Sequence, residues 1–182
     1  LKAENESELR KRISDRKSYV RAYCKNSLYS GIDIASKIWA GDYKKGDTFE
    51  EIASNAEGVK RIGVIRADVD NLGQAFVNGF ESSAYKNKFV TISRTATFSR
   101  KLSIFFKRNV NKLLKEGTYW IKDKEDSSCE RSAAVVYSGG DDVFIIGAWD
   151  DIIGFAVDLS ESLSAFSQNM LTISAGIGIY PP

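Results

Sequence analysis

Two short stretches hold the residues best suited to chemistry. Asp68-Val69-Asp70 closes one apolar run, and Asp141-Asp142 lies between two others, behind Ser138-Gly139-Gly140. Carboxylates at the ends of buried strands are costly without counter-charge, because two of them about 4 Å apart repel by roughly 4 kcal/mol at an effective dielectric near 20. A divalent cation removes that repulsion. The chain has no histidine, and its two cysteines, Cys24 and Cys129, are far apart, so an all-oxygen ligand set favours Mg²⁺ or Mn²⁺ over zinc. Two such ions held by aspartates activate an attacking hydroxyl and stabilise a leaving pyrophosphate. Phosphoryl transfer asks little else of a protein than positioning and charge. Gly139 and Gly140 permit a positive φ in a tight turn and let a triphosphate approach the backbone. A plainer reading exists: Asp-Asp beside Gly-Gly is ordinary turn composition, and Asp70-Asn71 can be no more than the cap of a following helix. The joint pattern of acids ending one strand and acids between two others favours the chemical reading.

The elements that must position these acids follow from periodicity. Ile62–Val69 reads as a buried strand closing on Asp68, and residues 71–80 as a helix or helical turn. A long helix is expected over residues 91–115, where Ile92, Phe98, Leu102, Phe105, Phe106, Val110, Leu113 and Leu114 step at three or four residues, with Gly117 ending it. Residues 133–137 and 143–149 flank the glycine turn as a hairpin. Asp150 or Asp151 is expected to cap the next helix, whose core side carries Ile152, Ile153, Phe155, Ala156, Leu159 and Leu163. Residues 171–180 form a last strand. Upstream, residues 1–18 read as a frayed helix or linker, and residues 19–24 and 32–39 as a strand pair split by the turn-prone Lys25-Asn26-Ser27. Thr48 is expected to cap a short helix over residues 49–56.

Other residues have two uses each. Arg94, Arg100, Lys101, Lys107 and Arg108 on the long helix form a solvated face or touch phosphates or RNA. Ser93, Thr95, Thr97 and Ser99 are surface hydroxyls or reach a base or ribose. Tyr19, Tyr23, Tyr29, Trp39 and Tyr43 pack in a core or stack on RNA.

The bulk composition narrows the class. The 182 residues suffice for one domain with a real core, and 43% hydrophobic with 27% charged residues reads as globular. A net charge of +2 gives no basic field, so any polyanion is bound locally. The missing histidine excludes His-based acid–base catalysis and Ser-His-Asp triads. No apolar run approaches the roughly 20 residues of a membrane span, and no secretory leader precedes the first charged segment. With no disulfide framework, a cytoplasmic location is expected. The chain starts at Leu1 and stops at Pro182 just after a strand-like run, which suggests a piece of a larger protein.

Three segments together carry a family resemblance: Arg66-Ala67-Asp68-Val69-Asp70-Asn71-Leu72-Gly73, Ser138-Gly139-Gly140-Asp141-Asp142, and Thr172-Ile173-Ser174-Ala175-Gly176-Ile177-Gly178. As a set they resemble the palm of the large subunit of type III, Csm-type CRISPR effector complexes. The skeleton is also similar to the GGDEF domain of diguanylate cyclases and, more distantly, to class III nucleotidyl cyclases. It covers about residues 59–180. The resemblance implies an α+β, ferredoxin-like palm, an antiparallel sheet with helices on one face, over residues 59–182, with residues 1–58 as a linker carrying accessory strands and a helix. It implies synthesis of cyclic oligoadenylates from ATP with two Mg²⁺ or Mn²⁺ ions, switched on when guide RNA pairs with target RNA. The implied partners are the other subunits of the effector complex, guide and target RNA through that complex, and a second palm.

By position in the resemblance, Asp68 matches the first metal-binding aspartate, with the Val69 carbonyl as a second ligand. Asp141 matches the metal-binding acid of the turn and Asp142 the other acid of the pair, so the resemblance implies both as metal or catalytic ligands. Asp70, Asn71, Leu72 and Gly73 would lie along the triphosphate through backbone N–H groups at a helix start. Ser138 and Gly139 would line the nucleotide pocket, with Gly140 beside them. Within these 182 residues the family pattern is partial: a His–Asp nuclease domain needs histidine and a zinc module four cysteines, and the first palm and the basic helix that follows the last strand in diguanylate cyclases fall outside them. The Asp68–Asp141 spacing exceeds that of simple GGDEF domains, with the insertion in residues 81–131. A scaffold palm that binds nucleotide, subunits or RNA without catalysis, and an enzyme using GTP, are the alternatives.

Overall fold

A computed structural model describes residues 7–8, 11, 14–15, 22–26, 34–79, 90–121 and 130–182, with the backbone alone described at residues 22–24 and 34–37. The chain divides into two units, Leu1–Ala40 and Gly41–Pro182. In the first, β1 (Ala22–Lys25) pairs with β2 (Ile34–Ile38). The pairing is parallel. The expected turn at Lys25-Asn26-Ser27 therefore does not close a hairpin, since parallel neighbours cannot be joined by a tight turn. Asn26 instead takes a left-handed φ of 52° and bridges both backbone groups of Ala40. Tyr19, Tyr29, Cys129 and the side chains of Tyr23 and Cys24 lie outside the described residues.

The second unit holds α1 (Phe49–Ser54), β3 (Ile62–Val69), α2 (Leu72–Asn78), α3 (Ile92–Lys115), β4 (Ala133–Gly139), β5 (Asp142–Ala148), α4 (Trp149–Ser167) and β6 (Ile173–Tyr180). Its sheet is antiparallel throughout, in the order β4-β5-β3-β6. With the connection β-αα-β-β-α-β, this is the α+β ferredoxin-like palm arrangement. The core lies between the sheet and α3 and α4, where Ile65, Leu102, Phe106, Val110, Leu114, Val143, Ile145, Ile152, Phe155, Leu159 and Leu163 are essentially inaccessible. Ile92, counted with the apolar stripe of α3, is 90% exposed at the first turn.

Residues 41–58 pack into this unit. Tyr43 enters the main core, and burial pushes its hydroxyl pKa up. Thr48 caps α1, accepting from the Glu51 N–H, and Ile52 and Ala53 pack on Ile62, Ala134 and Ile146. In strand alternation Ile62 and Ile146 point away from α3 and α4. The short α1 thus covers the lower end of the second sheet face and leaves its upper end open.

Two expected caps resolve differently. Glu116, not Gly117, closes α3. Gly117 is required because a Cβ there would stand 2.6 Å from the Arg131 guanidinium. The N-cap of α4 is Ala148, and Asp150 and Asp151 lie buried within the first turn. Asp151 accepts from the Ser132 N–H at 2.7 Å, tying α4 to the start of β4.

Arg131 is wholly buried at the far end of the sheet from the glycine turn. It donates to Asp158, to the carbonyls of Tyr119 and Asp151 and to that of Leu113, and the Trp120 ring sits 4.4 Å from its guanidinium carbon. Asp158 also accepts from Thr118 N, Thr118 Oγ1 and Tyr119 N. Among the described residues no helix is long and apolar enough to cross a membrane. Removing one partner of a buried ion pair leaves an uncompensated charge and costs about 3–5 kcal/mol. Asp158→Ala is therefore expected to lower unfolding free energy by about that amount in urea titration, against less than about 0.5 kcal/mol for a surface change such as Glu161→Ala.

Candidate active site on the open sheet face

Asp68 is placed by the alternation of β3. Ile65, Ala67 and Val69 face the helices, so Arg66 and Asp68 face the opposite side. On β5, Val143 and Ile145 are core, so Asp142 and Phe144 share the face of Asp68. The register then sets Asp68 directly against Asp142, Arg66 against Phe144, and Ser174 of β6 on the other flank of Asp68. Opposed residues in an antiparallel pair have Cα atoms about 4.5–5.5 Å apart. Arg66 Nη2 reaches to 3.9 Å from Asp142 Oδ2.

The hairpin carries the third acid. Gly139 pairs with Asp142, leaving Gly140-Asp141 as a two-residue turn with Gly140 at φ +65°. Glycine meets that positive φ without strain, as the first position of a primed hairpin turn demands. The Asp141 carbonyl accepts from the Val69 N–H at 3.2 Å, fastening the turn to the end of β3. The Val69 side chain is buried, so only its backbone can serve a ligand. Asp142 and, less strongly, Asp141 raise the pKa of the neighbouring Tyr137 hydroxyl, with partial burial adding to the shift, as expected beside a negative rim.

Other sequence-derived residues are positioned less directly. The Asp70 N–H is donated to the Thr172 carbonyl at 2.9 Å. Its carboxylate accepts from Ser174 Oγ at 2.6 Å and Thr172 Oγ1 at 2.7 Å, and these bonds hold its pKa below the usual carboxylate value. Asp70 is thus a tie between β3 and β6, with no amide left to offer. Thr172 and Ser174 could have been paired with it on sequence, since hydroxyls at i and i+2 share one strand face. Asn71 sits at the N-cap of α2 in the left-handed region, and its side chain makes no cap bond. Leu72 and Gly73 open α2, where N–H groups lack intrahelical acceptors. Ser138 faces the helices, donating to the Phe106 carbonyl at 3.2 Å, so the sheet separates its side chain from Asp68 and Asp142. On α3, Thr95 and Thr97 spend their hydroxyls on carbonyls one turn back.

Among the described residues no three acidic or thiol side chains stand close enough together to enclose a metal ion. The acids present are an in-register pair with a third in the adjoining turn. Mg²⁺ fits such a set, because it is usually held by one or two carboxylates with substrate phosphates and water completing the octahedron.

The family is decided by the segment that contains this site. Residues 61–182 match the model of the Cas10/Cmr2 second palm domain. The chain belongs to the Cas10/Cmr2 family. It is 46% identical over 161 residues to the CRISPR system single-strand-specific deoxyribonuclease Cas10/Csm1 (subtype III-A) of Mycobacterium tuberculosis, covering 88% of this chain and 20% of that protein. It is 36% identical over 167 residues to the protein of the same description from Streptococcus thermophilus, covering 90% of this chain and 20% of the relative. The chain thus spans about a fifth of the length of these relatives. Among solved structures, the Csm1–Csm4 cassette in complex with AMPPNP aligns with a TM-score of 0.68 at 33% identity, and that with cA4 with 0.69 at 31%. Each alignment covers 87% of this chain and 23% of the other.

The Asp70 clamp has a pH signature. A carboxyl whose folded pKa is depressed contributes stability above its unfolded value, about 3.9, and that contribution is lost as pH falls through the lower folded value. The Asp70 carboxyl carbon, followed by NMR, is expected to titrate below pH 3.9, and Ser174→Ala is expected to move its midpoint upward.

Proposed function

We propose that this palm is the nucleotidyltransferase centre of a Cas10/Csm1 large subunit and joins ATP into cyclic oligoadenylates. The observation that carries this reading is the register pair Asp68–Asp142 on an open sheet face beside the Gly140-Asp141 turn. Support comes also from the similar Csm1–Csm4 cassette, crystallised with one ATP, with pppApA and pppApApA, and with cA3 and cA4. Those ligands form a series from monomer through linear oligomer to cA products, and all are adenylates, which favours ATP over GTP.

In this reading Asp68, Asp141, Asp142 and the Val69 carbonyl would hold two Mg²⁺ or Mn²⁺ ions. When bound, such ions lower the pKa of an attacking hydroxyl and offset the charge of departing pyrophosphate. The chain supplies the geometry. The β3–β5 ladder fixes Asp68 and Asp142 on one face, and the Val69–Asp141 bond holds the turn against them. Gly139 and Gly140 leave the backbone bare for phosphate approach, and the N–H groups of Asn71, Leu72 and Gly73 flank the triphosphate. Asp70 acts through its clamp on β6, keeping the loop after β3 in register. The open face, with Gly176 adding no side chain beside Arg66, suits a second palm bringing another nucleotide. Csm4, the other effector subunits, and guide and target RNA are the partners of this reading, in a cytoplasmic complex.

A scaffold palm without catalysis is the second reading, favoured by the lack of an enclosed three-acid cluster among the described residues. The two are separated in the full-length protein within its complex. Asp141→Ala/Asp142→Ala is expected to reduce oligoadenylate synthesis from Mg·ATP by at least about 10³-fold, of the order seen when a group stabilising transition-state charge is removed, with target RNA binding unchanged in a filter assay. Synthesis at the parent rate would establish the scaffold.

A further inference from the structure

We propose that Lys107 is a polyphosphate-positioning residue of this site, an inference that rests on the nucleotidyltransferase reading. Lys107 lies on α3, which packs against β4, the edge strand of the sheet. Its stem is half-buried, unlike the exposed Arg94, Arg100, Lys101 and Arg108 of the same helix. Its Cε stands 3.7 Å from the point where a Cβ on Gly139 would lie, and the Tyr137 hydroxyl stands 3.5 Å from the same point. Gly139 is the register partner of Asp142, so that point is on the open face. The lysine therefore starts from the helical layer, passes the edge strand, and delivers its end to the flank of the Gly140-Asp141 turn.

The charge pattern makes this placement informative. A second cation, Arg66, stands 3.9 Å from Asp142 on the β3 side. Among the described residues, the Lys107 ammonium has neither a hydrogen bond nor an ion pair, although Asp141 and Asp142 lie just beyond Tyr137. An ammonium with three free donors beside a rim that takes cations serves the anion those cations bring. Lysine binds phosphate as a mobile point charge, needing no planar fork. The point where a Cβ on Gly139 would lie is at ordinary contact distance from both Lys107 and Tyr137, which places the lysine stem against the turn. The ligand class is a nucleoside triphosphate or the pyrophosphate it releases, with the β- and γ-phosphates on the β4 side of the turn.

The test uses the full-length protein in its complex, with Mn²⁺ present. Binding of AMPPNP and of AMP is measured by calorimetry for the parent, Lys107→Met and Lys107→Arg, together with KM and kcat for ATP. Lys107→Met is expected to weaken AMPPNP about tenfold and raise KM for ATP similarly, while AMP binding and the melting temperature stay unchanged. Lys107→Arg is expected to recover most of the loss. Equal AMPPNP affinity in the parent and the methionine variant overturns the proposal, as does an equal loss for AMPPNP and AMP, which would mark a structural effect. Lys107→Gln, which keeps a polar stem, gives the same comparison if the methionine variant does not fold. Asp141→Ala/Asp142→Ala separates the two levels. Loss of Mn²⁺-dependent AMPPNP binding there, with Lys107→Met unaffected, overturns the lysine alone, whereas Mn²⁺-dependent binding that survives in the aspartate variant overturns the shared site.

Discussion

The antiparallel register of β3 against β5 governs everything else in this domain. It sets Ile65 against Ile145 in the core and, three residues on, Asp68 against Asp142 at the rim. Both isoleucines are inaccessible, so a slip by one residue would move the whole apolar set to the wrong face. Hydrophobic burial thus makes two aspartates cross-strand neighbours on the open face. In the proposed reading, a cation between these two cross-strand carboxylates would offset their like charge.

The remaining elements serve that register from both sides. Asp70 fastens β6 to β3 through two hydroxyls and a backbone bond, on the flank opposite the hairpin. The Val69–Asp141 bond closes the hairpin side. At the far end, Arg131 and Asp158 lock the α3 exit, the start of β4 and α4 into one buried polar knot. The domain therefore differs by sheet end: a pole where Arg131 and Asp158 are buried and paired, and an open pole that carries Asp68, Asp141 and Asp142 beside Arg66.

Much of this was legible in the sequence. The 3.6-residue stripe of α3 and the apolar runs around Gly139-Gly140 fixed helix and hairpin, because each is a local pattern. The alternation Ile65-Arg66-Ala67-Asp68-Val69 even carries the facing of Asp68, though the run reads at first as a wholly buried strand. What the sequence did not disclose depends on distant partners. Arg131 ends the charged run of residues 122–131 in the sequence, yet it is inaccessible because Asp158, 27 residues later on α4, pairs with it. Gly117 looked like a helix stop, but its role is to admit that guanidinium. The parallel pairing of β1 and β2 carries no local mark that separates it from a hairpin. Lys107 belonged to a basic helix face by spacing, and only the packing of α3 on the edge strand distinguishes it from its neighbours.

The central claim is that Asp68, Asp142 and the turn between β4 and β5 share divalent cations with a triphosphate. A crystal of the full-length protein soaked with Mn²⁺ and AMPPNP, with anomalous scattering recorded at the manganese edge, tests it directly. The account expects manganese peaks within about 2–2.3 Å of Asp68 and of the Asp141-Asp142 pair, with the phosphates bridging them. Nucleotide bound with its phosphates away from these acids, and no manganese between them, would contradict it.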